Sequence, residues 1–194
     1  MRFRFTRLAV SVVALLVALP AQARDFTSSI SEGTDIVRLR PEFKIPDEPG
    51  QLFYVQRSPN SNTVVYAVRL DAQGNFDSKT PVDAYWRKFN IDGAKQKLNF
   101  LEGMMAYGVK LDARKPGQPV TFTIAALPDR KLTLALDAQH RPEARMQIGN
   151  HLVKVAYVYL QVMDGGLMPS VPSLDILGTD IASGKAIHEH LIQR

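Results

Sequence analysis

The sequence predicts an all-β, mainly antiparallel domain with one short helix, folded as a β-sandwich or a partly closed β-barrel of about ten strands. Three observations carry this. From residue 51 onward apolar residues recur with a period of two, the runs are separated by clusters of turn formers, and the chain has no cysteine, so a hydrophobic core must hold it together.

The first strand is Leu52-Phe53-Tyr54-Val55, and the turn formers Ser58-Pro59-Asn60-Ser61-Asn62 join it to a second over residues 63–70. That is a β-hairpin signal. Asp71-Ala72-Gln73-Gly74-Asn75 closes the second strand, and Pro81 opens a third over residues 82–89, in which Trp86 alternates with Val82 and Ala84 toward the core. Three further strands alternate cleanly: Val120, Phe122 and Ile124; Leu132, Leu134 and Leu136; Ala144, Met146 and Ile148. Each buries one face and wets the other. Residues 152–163, rich in Val and Tyr, carry apolar side chains on both faces and read as a central, doubly covered strand. After a loop at 164–169, residues 173–177 and 185–192 form a terminal hairpin, with Gly178-Thr179-Asp180 and Ser183-Gly184 as turn formers between them. One segment breaks the pattern. Residues 94–105 place Leu98, Leu101 and Met105 at helical spacing and Phe100 four residues before Met104, which predicts a short helix despite the cost of Gly103 inside it.

Four motifs in order carry a resemblance: Ser58-Pro59-Asn60-Ser61-Asn62-Thr63-Val64-Val65-Tyr66, then Pro81-Val82-Asp83-Ala84-Tyr85-Trp86, then Ala106-Tyr107-Gly108-Val109, then Leu177-Gly178-Thr179-Asp180 with Gly184-Lys185. Together, over residues 51–192, they resemble a bacterial exported family known as domain of unknown function 4833. The resemblance implies one all-β domain and brings no activity, cofactor or catalytic residue with it.

The first twenty-three residues read as a cleaved signal peptide. Arg2, Arg4 and Arg7 make a positive start, residues 8–19 an apolar stretch too short to cross a bilayer, and Pro20-Ala21-Gln22-Ala23 a small-x-small cleavage site. The expected address is the periplasm, with secretion as the alternative, and no transmembrane segment is expected in the mature chain. Residues 24–50 hold Pro41, Pro46 and Pro49 and little periodicity, so they read as an extended arm ahead of a single β-domain at 51–194. Losing three of the 24 basic residues with the leader leaves 21 against 19 acidic ones. That near balance, with no basic cluster, argues against nucleic acid as partner. The absence of cysteine removes thiol nucleophiles, haem attachment and thiolate zinc sites. No nucleophile elbow, P-loop, dinucleotide fingerprint or HExxH is present.

The expectation is therefore a non-catalytic β-domain that needs no cofactor and binds a small molecule or an envelope protein. Asp83, Tyr85 and Arg87 alternate on one strand and share a face, and with Tyr54 and Tyr66 they make the candidate ligand-binding set. A rival is a hydrolase-type enzyme using Asp83 or Glu102 with Tyr107, a carboxylate and a phenol able to exchange protons if both reach one cleft. Another is a structural envelope module docking through its arm. His188 and His190 flank Glu189 and also share a face, but two imidazoles give a metal only two of its three or four ligands, and His151 or His140 would have to complete the set. No metal is therefore expected. Met104, Met105 and Met168 read as adaptable packing.

Overall fold

The computed structural model describes residues 26–113, 118–163 and 170–194, so the leader, and the loop at 164–169 with Met168, lie outside the described residues. Twelve strands are found among them, two more than the sequence suggests: β1 (Phe26–Gly33), β2 (Gln51–Arg57), β3 (Thr63–Val68), β4 (Val82–Arg87), β5 (Lys95–Lys97), β6 (Val109–Leu111), β7 (Val120–Ile124), β8 (Leu127–Leu136), β9 (Pro142–Ile148), β10 (His151–Met163), β11 (Ser170–Asp180) and β12 (Ala186–Gln193). They join into a single curled, mostly antiparallel sheet, a half-barrel rather than two stacked sheets.

Strand β10 organises the sheet. One of its edges pairs with β9 through residues 151–154 and then, in parallel, with β2 through residues 157–160. Its other edge pairs with β11, which pairs with β12, which pairs with β1. Two wings grow from the forked edge, β2-β3-β4-β5 and β9-β8-β7-β6, and the sheet curls until β6 lies back against β4. A bulge at Ala156 flips the phase of β10: Val153 and Val155 face the core before it, Val158 and Leu160 after it, while Tyr157 and Tyr159 turn to the opposite face. Apolar residues on both faces of β10 are thus explained, since both faces are covered.

The main core lies inside the curl. Phe53 stacks on Tyr66 with ring centroids 4.5 Å apart, and Trp86 meets the edge of Tyr107 at 5.0 Å. Trp86 is buried, as its alternation with Val82 requires. Residues 34–50 lie as a strap across the convex face. The Tyr157 hydroxyl donates to the Val37 carbonyl (2.5 Å) and accepts from the Leu39 amide (3.1 Å), while Phe43 is buried against Tyr54, Tyr157 and Tyr159. The Gln56 amide donates to the Lys44 carbonyl at 3.1 Å.

Two local readings need correction. The helix expected over 94–105 is instead β5, an α-helical turn α1 (Phe100–Glu102) and a π-helical turn (Gly103–Tyr107). Asn99 starts it with a capping box to Glu102, but Phe100, Leu101, Met104 and Met105 stay exposed, so their helical spacing reports no buried face. Gly178-Thr179-Asp180 is not a turn either; β11 runs through it and the chain reverses over residues 181–185. Gly178 is required by close approach: a Cβ there would stand 2.2 Å from the Lys154 carbonyl oxygen of β10.

Candidate functional site

The triplet His188-Glu189-His190 of β12 presents chemistry on both faces of the sheet. Strand alternation sends Glu189 inward with Ile187 and Leu191, and both imidazoles outward. Inside, Glu189 is 1% exposed, and a carboxylate so buried requires donors. Its Oε1 accepts from the Ser28 hydroxyl of β1 (2.6 Å) and the Arg130 guanidinium of β8 (2.5 Å), while Oε2 is buried without a partner. Ser28 and Arg130 also line a cavity of about 260 Å³ whose other walls are Phe26, Ala126, Leu127, Pro128, Asp129, Leu174 and Leu191. It is mostly apolar, with a polar wall where Glu189 is neutralised.

Outside, the register places Asp175 of β11 opposite His190 and Leu177 opposite His188. The Oδ1 atom of Asp175 lies 2.7 Å from His188 Nε2 and 2.7 Å from His190 Nδ1. Asp175 is buried and the two rings are half-buried. The third member of the group is thus neither His151 nor His140. His151 stands between Glu32 (3.5 Å) and Asp180 (3.7 Å), and His140 sits in the turn after β8 with φ of 59°.

The same convex face continues across eight strands. Ser29, His190, Asp175, Tyr159, Gln56, Thr63, Arg87 and Lys95 form one cross-strand row, and the next row contains His188, Leu177, Tyr157, Tyr54, Val65 and Tyr85. Four of the five candidate ligand-binding residues, Tyr54, Asp83, Tyr85 and Arg87, lie on this face, and Tyr66 does not. Tyr66 points into the core and donates its hydroxyl to the Tyr107 carbonyl at 2.7 Å. The strap packs on Tyr54, Tyr85 and Arg87. Glu48 forms an ion pair with Arg87 (3.0 Å) and accepts a long hydrogen bond from the Tyr85 hydroxyl (3.4 Å). Burial, followed by the charge of Tyr157, pushes the Tyr54 phenol up to about 12; burial and then Glu48 push Tyr85 up to about 12. Both stay neutral at ordinary pH.

Glu102 and Tyr107 lie near enough for the Glu102 charge to act on the phenol, each with its own surroundings. The Glu102 carboxylate accepts from the Asn99 amide at 2.8 Å, and Tyr107 is buried against Trp86, its pKa raised chiefly by burial. Asp83 lies on the convex face with Tyr85 and Arg87, opposite to Val82, Ala84 and Trp86, which face the core. Asp175, Glu48 and the Ser28-Arg130-Glu189 group had no signal in the sequence beyond their residue types, since strand register alone brings them to their partners.

The fold and these sites can be set against known proteins. Residues 53–190 match the family model described as Domain of unknown function (DUF4833). The chain belongs to that family. No curated protein and no solved structure gave a match. Among the described residues no helix is long and apolar enough to cross a membrane. The family motifs acquire physical reasons here: Gly178 admits β10, Asp180 accepts from the Ser183 amide and hydroxyl in the turn that follows, and Trp86 and Tyr107 pack on each other.

Proposed function

We propose that this DUF4833 protein is exported to the periplasm by its first twenty-three residues and acts there as a non-catalytic domain that binds a small, mainly apolar molecule bearing a hydrogen-bonding group. The supporting observation is the cavity of about 260 Å³ with Ser28 and Arg130 on one wall. A cavity of about 150 Å³ suffices for benzene, so this one has room for a substituted ring or a short branched chain. Apolar walls with a few convergent polar groups are the usual character of a ligand site. Arg130 is already neutralised by Glu189, which favours a neutral hydroxyl or amide over a full charge on the ligand.

The experiment is a thermal-shift screen of small envelope metabolites on wild type, Leu127→Trp, which fills the cavity, and Arg87→Ala, which leaves it alone. A ligand should stabilise wild type and Arg87→Ala equally and fail on Leu127→Trp, since binding to the native state raises its stability by mass action. Hits that survive Leu127→Trp would move the site elsewhere. A second reading, docking on an envelope protein, draws on the exposed knob of Phe100, Leu101, Met104 and Met105.

A further inference from the structure

We propose that Asp175, His188 and His190 form a site for one divalent transition-metal ion of the zinc class, with open coordination positions toward solvent. The proposal is independent of the cavity, which lies on the other face of β12.

The ligand set is two imidazoles and one carboxylate, which suits borderline divalent ions such as Zn²⁺. All three donor atoms lie within 4.8 Å of one another, so one ion can reach them together. Tetrahedral zinc with bonds of about 2.0–2.1 Å sets its ligand atoms roughly 3.3 Å apart. The two imidazole nitrogens stand 2.7 Å from Asp175 Oδ1, so admitting the ion requires each contact to open by about 0.6 Å. Small rotations of two half-buried rings supply that, and the rings already stand at 71° to each other rather than stacked face to face.

Proton accounting is also simple. With neutral rings, each imidazole that donates to Asp175 carries its single proton on the nitrogen nearest the carboxylate. Ligation needs that nitrogen bare. Each ring can shift its proton to the other nitrogen, Nδ1 of His188 and Nε2 of His190, so the metal replaces two shared protons without changing the charge of the ligands. The buried carboxylate, until then stabilised by two hydrogen bonds, gains a cation instead.

The scaffold is rigid where it matters. Asp175 and both histidines sit on β11 and β12, each paired on both edges, which fixes their spacing through backbone register. The side chains of His188 and His190 are 28% and 38% exposed, which leaves room toward solvent, and the nearby strap cation Arg40 is held by Glu42 (2.5 Å) and by the Tyr159 hydroxyl (3.2 Å). Three protein ligands beside solvent leave a coordination position open, unlike closed four-ligand structural sites.

The test uses the purified chain after stripping with chelator, titrated with Zn²⁺ by calorimetry, with metal content measured after dialysis. Wild type should hold one equivalent and melt at a higher temperature when loaded, and the ring resonances of His188 and His190 should move. His188→Ala, His190→Ala and the near-isosteric Asp175→Asn should each weaken binding at least tenfold, whereas His151→Ala and His140→Ala should bind as wild type does. Absence of saturable one-to-one binding by folded wild type would overturn the proposal, as would undiminished binding by the His188→Ala/His190→Ala double variant.

Discussion

Glu189 and Asp175 are two buried carboxylates on neighbouring strands, and the molecule satisfies them in parallel but unequal ways. Each receives two partners on a single oxygen: a guanidinium and a hydroxyl for Glu189, two imidazoles for Asp175. Arginine is always charged, so the inner group is a fixed ion pair. Histidine nitrogens exchange the roles of donor and ligand, so the outer group is convertible. The inner carboxylate builds a wall, whereas the outer one is suited to receive something.

Removing the inner cation is expected to have the largest effect. Arg130→Ala leaves Glu189 buried beside Ser28 alone and should cost about 3–5 kcal/mol in urea unfolding. Replacing both members, Arg130→Met with Glu189→Leu, should recover most of that, because an apolar pair of similar volume needs no solvation. A double variant as unstable as the single one would show that the pair is needed for shape rather than charge.

On the outer face, Asp175→Asn keeps the volume and removes the charge from two hydrogen bonds, which should cost about 1.5–3 kcal/mol without metal. The deficit should widen when wild type is loaded with Zn²⁺. An equal deficit with and without the ion would erase the distinction drawn between the two carboxylates.

The unequal legibility of these groups follows from how strands work. Alternation tells which side chains share a face, so His188 with His190, Asp83 with Arg87, and the burial of Trp86 were readable along single strands. Pairing across strands was not, because it depends on where turns fall. With the connection read as 178–184 rather than 181–185, the register that sets Asp175 opposite His190 was out of reach. Strand β1, with the sequence FTSSISEG, is mostly exposed and is held by its pairing with β12, so it left no apolar pattern and merged with the arm. The apolar spacing of residues 94–105 misled for the opposite reason, since four of its large side chains face water.

Neutral polar groups on the convex face give a third case beside the two carboxylates. The Tyr54 and Tyr85 phenols have folded pKa values pushed up to about 12. In the unfolded chain a phenol titrates near 10. Between these values the unfolded state has lost protons that the folded state keeps, so stability is whole below about pH 10 and falls toward pH 12. Urea midpoints measured from pH 8 to 12 should show this decline, and Tyr54→Phe or Tyr85→Phe should flatten it. An unchanged slope in both variants would mean that strap and sheet part before the phenols titrate.

The smallest effect is expected at the strapped end. Arg87 pairs with Glu48 at 3.0 Å, but its side chain is 28% exposed and that of Glu48 15%, so solvent and salt weaken the attraction. Glu48 retains the Tyr85 hydroxyl when the guanidinium is removed. Arg87→Ala should therefore cost only about 0.5–1 kcal/mol, a difference that shrinks in high salt. The strap has independent anchors at Tyr157 and Gln56, so proteolysis within residues 34–50 should be scarcely faster in the variant. A loss above about 2 kcal/mol, outside the range for exposed pairs, would make this ion pair a counterpart of Arg130–Glu189. The convex face would then have its own fixed charge pair, and the contrast between a fixed inner face and a convertible outer one would hold only at the end that carries the histidines.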